Sequence, residues 1–254
     1  MARTIVITGA NSGIGKATAV LAEARGWKPN RADLNGGDVE ADLATPQGRL
    51  AFVEEVNALI GEHLDAVIAC AGVTLPTSLT LKVNYFGAIA TLEGMLPLLA
   101  KGTQPRAIGI SSFASVLQPD SELVEACLSG NEAEALRIAE NKDPDAYYAS
   151  SKAAFARWIR RQAITADWVG TGILLNGIAP GIVETPMTQP MLDDETRRDQ
   201  LEHVVPMPIG RHGRPEEIAE LLLWLASPAN SMMVGQMLFI DGGAEATVRG
   251  DTLW

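Results

Sequence analysis

The chain has 254 residues, 47% hydrophobic and 20% charged, a composition typical of a folded globular protein rather than a disordered one. Its 20 basic and 31 acidic residues give a net charge of −11, and a field of that sign repels phosphate backbones and anionic lipid. Nucleic acid and membrane surfaces are therefore excluded as expected partners. The two cysteines and three histidines show no metal-ligand spacing, so no metal is expected.

The N-terminus is interrupted by glycine too early for a signal peptide, and no stretch reaches the roughly 18 apolar residues of a membrane span. These features predict a cytoplasmic protein. At about 150 residues per domain the length allows one large domain or two small ones. Because no Pro/Ser-rich linker divides the chain, we expect a single domain over residues 1–254.

Strand and helix patterns alternate along the chain. Short apolar runs predict strands buried on both faces at Thr4–Thr8, Leu64–Ala69, Arg106–Ile110, Gly172–Ile178 and Gln236–Ile240. Helical patterns lie between them at Ile14–Arg25, Thr45–Ile60, Leu79–Leu99, Ala149–Val169 and Pro215–Ala226. This alternation predicts an α/β fold with a doubly wound parallel sheet flanked by helices.

Two segments exceed what a minimal sheet needs. Leu117–Ala146 contains a helical stretch, Leu123–Ala139, and is expected to form a helical insert. Ile182–Pro215 carries four prolines before its end and the polar run Asp193–Arg198, which should prevent a continuous packed helix. Since long loops in compact domains are often lids, we expect Ile182–Pro215 to be a mobile substrate lid.

The first chemical motif is the glycine-rich turn Thr8–Gly15, which follows a strand and opens a helix. Glycines at this place let the backbone approach a pyrophosphate, whose charge then sits at the helix N-terminus. Asp33, 18 positions further on, is placed to accept hydrogen bonds from an adenine ribose and to repel the 2′-phosphate of NADP. Asp42 is a weaker candidate for the adenine edge. The strand before Asp33 should be apolar, but Trp27–Ala32 is polar and contains a proline.

The second motif is Tyr148 with Lys152, whose four-residue spacing places both side chains on one helix face. An ammonium close to the phenol should lower the pKa of Tyr148 and make it a proton donor and acceptor. Tyr147 lies on a different face. Ser112, at the C-terminal end of a strand, could hold a substrate carbonyl oxygen. Asn84 lies inside an otherwise apolar helical pattern, where an amide side chain is unfavourable unless it has a specific structural or functional role.

Together these motifs resemble the short-chain dehydrogenase/reductase family over nearly the whole chain. The turn at Thr8–Gly15 is followed, in that family's order, by Asn84, Ser112, Tyr148 and Lys152. The same order includes Cys70-Ala71-Gly72, Asn176–Gly181, Thr185 and Ile240–Gly243. The insert and several of these phrases are similar, more narrowly, to the bacterial 3α-hydroxysteroid dehydrogenase/carbonyl reductase group. The polar Lys28–Arg31 segment departs from the family pattern.

The resemblance implies a catalytic tetrad of Asn84, Ser112, Tyr148 and Lys152, with NAD as cofactor. Tyr148 would exchange the proton, Ser112 would hydrogen-bond the carbonyl oxygen, Lys152 would bind the ribose, and Asn84 would position a water. The implied cofactor-binding residues are Gly9, Asn11, Ser12, Gly13, Ile14, Gly15, Asp33, Asp42, Leu43, Cys70, Ala71, Gly72, Tyr148, Lys152, Pro180, Gly181, Val183 and Thr185.

The expected activity interconverts a secondary alcohol and a ketone. Apolar residues of the lid (Met187, Met191, Leu192 and Met207), with Ser112 and Tyr148, are the candidate substrate-binding residues and favour a bulky substrate such as a steroid or a cyclic monoterpenoid alcohol. The alternatives are an NADPH-dependent reductase of acyl-carrier thioesters, a sugar-nucleotide epimerase and an NAD-sensing protein without turnover.

Family members commonly pair through the helices that here carry Asn84 and Tyr148, and the insert Leu117–Ala146 is expected to block that contact and leave a homodimer rather than a tetramer.

Overall fold

A computed structural model describes residues 2–252 and contains a seven-stranded, all-parallel sheet with the order β3-β2-β1-β4-β5-β6-β7. The strands are β1 (Thr4–Thr8), β2 (Lys28–Asp33), β3 (Val39–Glu40), β4 (Ala66–Ala69), β5 (Arg106–Ile110), β6 (Leu174–Pro180) and β7 (Met237–Ile240). The chain moves outward through β2 and β3 and then returns to the other side of β1. This reversal opens a crevice at the carboxyl ends of β1 and β4.

The sheet is covered on both faces, as its apolar strands require. In β1, Val6 contributes to one core, and its neighbours Ile5 and Ile7 contribute to the core on the opposite face. The Ile5 side is covered by α1 (Gly13–Ala24) and α11 (Pro215–Leu225). The other side is covered by α2 (Pro46–Ile60), α3 (Leu79–Leu81), α4 (Ala88–Gly94), α5 (Leu96–Leu99) and α8 (Ala146–Gln162).

The polar segment before Asp33 does form a strand, contrary to what its composition suggests. Lys28 donates its N–H at 2.8 Å to the carbonyl oxygen of Arg3, the residue just before β1, so the nitrogen of the next residue, Pro29, faces the other side. On that side β3 pairs only with Ala32 and Asp33. The missing N–H of Pro29 therefore costs no ladder hydrogen bond, because β2 is locally an edge strand there.

The predicted continuous helix Leu79–Leu99 is interrupted. Residues Lys82–Gly87 form a π-helical turn between α3 and α4, and Pro97 lies in the separate short helix α5. A π-helical turn inserts an extra residue into the helical ladder and is frequent at functional sites. Asn84 lies within this turn.

The insert contains two helices rather than the single stretch Leu123–Ala139. These are α6 (Ser121–Leu128) and α7 (Glu132–Ala139), separated at Gly130, which has a positive φ of 77°. Both bury their apolar side chains in the core shared with α8. The insert is thus part of the packed domain.

The predicted lid also contains two helices, α9 (Gln189–Leu192) and α10 (Glu195–Val204). The prolines and the polar run Asp193–Arg198 predict that this segment forms no continuous packed helix, and the structure has two separate helices, with Asp193 and Asp194 between them. Asp194 accepts the Arg197 N–H at 3.0 Å and caps α10, so the acidic residues at the start of the run favour the helix N-terminus. A last helix, α12 (Ala244–Arg249), and β3 had no clear sequence pattern. In residues 2–252 we find no helix long and apolar enough to cross a membrane.

Candidate active site

The glycine-rich turn leaves no room for side chains where β1 passes into α1. Gly9 has a φ of 66°, and a Cβ at this residue would lie 2.9 Å from Ala71 Cα on the neighbouring loop. A Cβ at Gly15 would collide with the carbonyl oxygen of Gly9. The turn is therefore closed against the loop after β4, and α1 begins directly at its edge, which is the arrangement that accepts a pyrophosphate.

Thr8 fixes this junction, although the sequence analysis gave it no role. Its Oγ1 accepts hydrogen bonds from the N–H groups of Cys70 and Ala71, both at 3.1 Å. Thr8 thereby joins the carboxyl ends of β1 and β4 on the two sides of the crevice. The feature of the sequence that could have indicated this role is the position of Thr8, the last residue of the strand before the glycine-rich turn.

Asp33 ends β2 and lines a cavity on the side of the crevice that the sequence predicts for the adenine half of the cofactor. One carboxylate oxygen accepts the Asn11 N–H at 2.9 Å and the other accepts the Leu34 N–H at 2.8 Å. Asp42 accepts the Ala44 N–H at 2.9 Å and contributes to the same cavity. The predicted residues in this cavity are joined by others that the sequence did not indicate: Ala32, Leu34, Ala41, Phe52, Val73 and Val83.

A second cavity adjoins the first and collects most of the remaining predicted residues. It is lined by Gly9, Ser12, Gly13, Ile14, Gly15, Cys70, Ala71, Gly72, Ser112, Tyr148, Lys152, Pro180, Gly181, Val183, Thr185 and Met187, together with Ile110, Ser111, Pro186 and Thr188. The two cavities share the turn and the loop after β4, so they form one cleft long enough to receive an extended ligand.

Lys152 is a buried cation at the centre of this cleft. Its side chain projects from α8 with 5% of the residue exposed, and its Nζ donates to Ile110 O at 2.8 Å. Burial penalises the ammonium and lowers the pKa of Lys152 from 10.5 to about 8.

The phenol of Tyr148 differs from the prediction. Burial in the cleft raises its pKa, and a hydrogen bond with Ser112 opposes part of that rise. Lys152 Nζ lies 5.8 Å from the centroid of the Tyr148 ring. The spacing of the two residues predicts that Lys152 lowers the pKa of Tyr148. This prediction is wrong, because desolvation of the phenolate is the larger effect and raises that pKa.

Ser112 lies two residues after the end of β5, and its hydroxyl forms a hydrogen bond with Tyr148. Its Oγ also accepts the Ala114 N–H at 3.2 Å, which caps the 3-10 helix Phe113–Val116 and fixes the serine's backbone. Ser111 points elsewhere and donates to Lys152 O at 2.9 Å, inside the protein. Of the two serines, Ser112 is thus the one available to a ligand.

Asn84 is fully buried, and its amide is used by the protein itself. Its Oδ1 accepts the Val73 N–H and its Nδ2 donates to Val73 O, both at 2.8 Å. A Cβ on Gly72 would lie 3.2 Å from Asn84 Oδ1 and 3.6 Å from Lys152 Nζ. The Asn84 side chain therefore holds the loop after β4 directly beside Lys152.

Thr188 organises the segment that follows β6. Its hydroxyl donates to Val183 O at 2.5 Å and accepts the Thr185 N–H at 3.0 Å. Thr188 was missed, although it lies three positions after Thr185. Its contacts fix Val183 and Thr185, two of the cofactor-binding residues that the resemblance implies.

The four apolar lid residues do not lie together. Met187 lines the cleft beside Tyr148. Leu192 and Met207 instead pack in a small cluster around Phe113 and Val205. Met191 belongs to neither group in the part of the chain that the structure describes.

Comparison with known proteins agrees with this geometry. A family model described as enoyl-(acyl carrier protein) reductase matches residues 9–245. The 3α-hydroxysteroid dehydrogenase/carbonyl reductase of Comamonas testosteroni is 38% identical over 96% of this chain and 97% of its own. The 7α-hydroxysteroid dehydrogenase of Escherichia coli is 30% identical, over 94% and 92% of the two chains. The crystal structure of the 3α-hydroxysteroid dehydrogenase of Pseudomonas sp. B-0831 complexed with NADH superposes with a TM-score of 0.92 at 39% identity, covering 98% of this chain and 99% of that one.

The chain belongs to the short-chain dehydrogenase/reductase family. It is an oxidoreductase that acts on alcohols and carbonyls, an activity for which enzymes of this family use a nicotinamide dinucleotide. An NAD sensor without turnover is thereby set aside, and so is a sugar-nucleotide epimerase.

Proposed function

We propose that this enzyme interconverts a hydroxysteroid and the corresponding ketosteroid with NAD as cofactor. The observation that carries the proposal is the similarity to two 3α-hydroxysteroid dehydrogenases, at 38 and 39% identity over 96 and 98% of the chain. It is supported by the cleft, whose lining includes the apolar side chains of Met187 and Pro186 together with Tyr148. A bulky, weakly polar substrate matches such a lining.

The choice of NAD rests on Asp33. Its carboxylate faces the adenine-side cavity, where it can accept hydrogen bonds from ribose hydroxyls and would repel a 2′-phosphate. Arg31, the nearby cation that could bind such a phosphate, is paired with Glu23 at 2.8 Å. The cavities, the glycine turn and Asp33 together fit a dinucleotide.

In the proposed reaction, the bound nicotinamide supplies the two-electron redox chemistry. Tyr148 Oη takes the hydroxyl proton of the alcohol during oxidation and returns it to the oxygen during reduction. Ser112 Oγ donates a hydrogen bond to the carbonyl oxygen, where negative charge develops. The ammonium of Lys152 binds the ribose hydroxyls and favours the phenolate of Tyr148 as the proton leaves. Asn84 keeps the loop after β4 against Lys152.

The experiment is a substrate comparison followed by NADH absorbance. Purified enzyme is given NAD with 3α- and 3β-hydroxysteroids, and separately NADPH with a 3-oxoacyl thioester, in matched concentrations. We expect turnover of a hydroxysteroid with NAD. Turnover of the thioester alone would contradict the proposal and favour the acyl-carrier reductase. The net negative charge of the chain argues against that alternative, because an acidic carrier protein needs a basic docking face.

We further propose a cytoplasmic homodimer whose shape is set by the insert. Cys127 and Leu123 of α6 share a core with Tyr85 of the π-helical turn and Trp158 of α8, and Glu125 pairs with Arg157 of α8 at 3.2 Å. The insert thus covers the faces through which family members commonly pair. Light scattering should give a dimer, and a tetramer would refute the blocking role.

A further inference from the structure

Arg49, on α2, is a buried arginine that joins two walls of the dinucleotide cleft. The residue is 8% exposed, and its Nε donates to Leu43 O at 2.7 Å. Its Nη2 donates to Lys82 O at 3.0 Å, at the start of the π-helical turn that carries Asn84. Leu43 lines the adenine-side cavity. One guanidinium therefore holds the adenine-side loop to the helix next to the catalytic residues.

The insert supplies the counter-ion of this arginine. Glu132, the first residue of α7, receives two hydrogen bonds, from Arg49 Nη1 at 2.6 Å and from Nη2 at 3.0 Å. The two side chains are 10% and 22% exposed. A buried guanidinium without its carboxylate is strongly unfavourable, so the position of Arg49 depends on Glu132.

The backbone at Leu43 has little freedom to move independently. A Cβ on Gly87, in the π-helical turn, would lie 2.9 Å from Leu43 O and 3.0 Å from Leu43 Cβ. The loop and the helix are therefore in direct contact at the point that Arg49 binds. If Arg49 moves, the Leu43 carbonyl loses its donor, and the wall of the adenine-side cavity moves with it.

We propose that Glu132 is a positioning residue for dinucleotide binding, which acts through Arg49 on the adenine-side loop at Leu43. The inference rests on the proposed cofactor site. It assigns the insert a second task besides covering α8: its second helix, α7, supports the adenine half of the cleft.

The test measures binding of the adenine half of the cofactor separately from turnover. ADP-ribose binding is followed by calorimetry for the wild type and for Glu132→Gln, which keeps the size of the side chain and removes its charge. We expect the dissociation constant to rise about fivefold or more. At saturating NAD, kcat should stay within about twofold, because the catalytic residues are not in contact with Glu132.

Two controls separate positioning from loss of the insert. Glu134→Gln removes another carboxylate of α7, one paired with the exposed Arg137 at 2.6 Å. Lys142→Met breaks the ion pairs with Asp120 and Glu122, which hold the other end of the insert. Both variants should bind ADP-ribose like the wild type. If Glu132→Gln does not fold, Glu132→Asp keeps the charge at a shorter reach, and a raised dissociation constant is expected there as well.

The results distinguish this inference from the cofactor assignment. Wild-type protein that does not bind ADP-ribose would overturn the proposed dinucleotide site itself. Wild type that binds, with a folded Glu132 variant that binds equally well, would overturn the positioning role alone. Equal weakening in Lys142→Met would also overturn it, since the effect would then come from a loosened insert.

Discussion

The buried ammonium of Lys152 should make the stability of this protein depend on pH in a recognisable way. Its pKa is lowered from 10.5, the value for an unfolded chain, to about 8 in the folded protein. At a pH between these values the unfolded chain binds more protons at this lysine than the folded protein does. The free energy of unfolding therefore rises as the pH increases through this range.

The magnitude follows from the two pKa values. Their difference corresponds to about 3 kcal/mol when the lysine is fully titrated, and most of that, roughly 2 to 3 kcal/mol, is gained between about pH 7 and pH 10. Lys152→Met removes the titrating group and keeps an unbranched side chain of similar length. Relative to this variant, the wild type should become more stable by that amount over this pH range.

The assay is urea unfolding of both proteins at the two pH values, with the difference between them compared. Other titrating groups are common to both proteins and largely cancel in this comparison. Lys101→Met, at an exposed lysine, is the matched control, and its difference from the wild type should stay constant. A wild type that gained no stability over Lys152→Met between the two pH values would refute the reasoning about burial.

Other predictions concern activity and motion. Tyr148→Phe should lower kcat by about a hundredfold or more with unchanged NADH affinity, and a Tyr148→Phe enzyme with normal kcat would contradict the assignment. Tyr147→Phe loses the hydrogen bond of 2.6 Å to Ala139 O and should mainly lower the stability of the fold, by about 1 kcal/mol. Asp33→Ala should reduce the ratio of kcat/KM for NAD over NADP by about tenfold, and a wild-type preference for NADP would be inconsistent with the role of Asp33. Amide exchange in residues 182–215 should be fast in the free enzyme and slower with cofactor and substrate, and equally slow exchange in both states would argue against a lid.

The central strands could be predicted because their burial is recorded in the sequence. β1, β4 and β5 are mainly apolar, apart from the threonines of β1 and Arg106 of β5, because parallel strands in the middle of a sheet are covered on both faces. The sequence of β2 has no comparable apolar pattern, because this strand is only partly buried and pairs on its outer side with the two-residue strand β3. Composition alone could not show that Pro29 faces the side without a ladder.

The positions of the proposed catalytic residues were predictable from spacing, but their electrostatic state was not. The positions of Tyr148 and Lys152 on one helix face follow from helical periodicity. Whether the phenol's pKa rises or falls depends on how far β5, β6 and the loop after β4 exclude water, which is a tertiary property. For the same reason the roles of Thr8 and Thr188 appear only once the loops that they join are adjacent.

The contacts of the insert explain why point variants test it better than its removal. Besides the Arg49–Glu132 pair, the Asp120 N–H donates to Ser150 Oγ at 3.0 Å, and Tyr147 donates to Ala139 O. Tyr147 and Ser150 flank Tyr148 on α8, so the insert contacts the helix of the proposed catalytic tyrosine and, through Arg49, the loop at Leu43 that we propose for the adenine half of the cofactor. Replacing residues 117–146 with a short loop should therefore weaken catalysis and cofactor binding together, whatever happens to assembly. Arg157→Ala, which breaks only the exposed contact with Glu125, changes the covered helix face and leaves both supports in place.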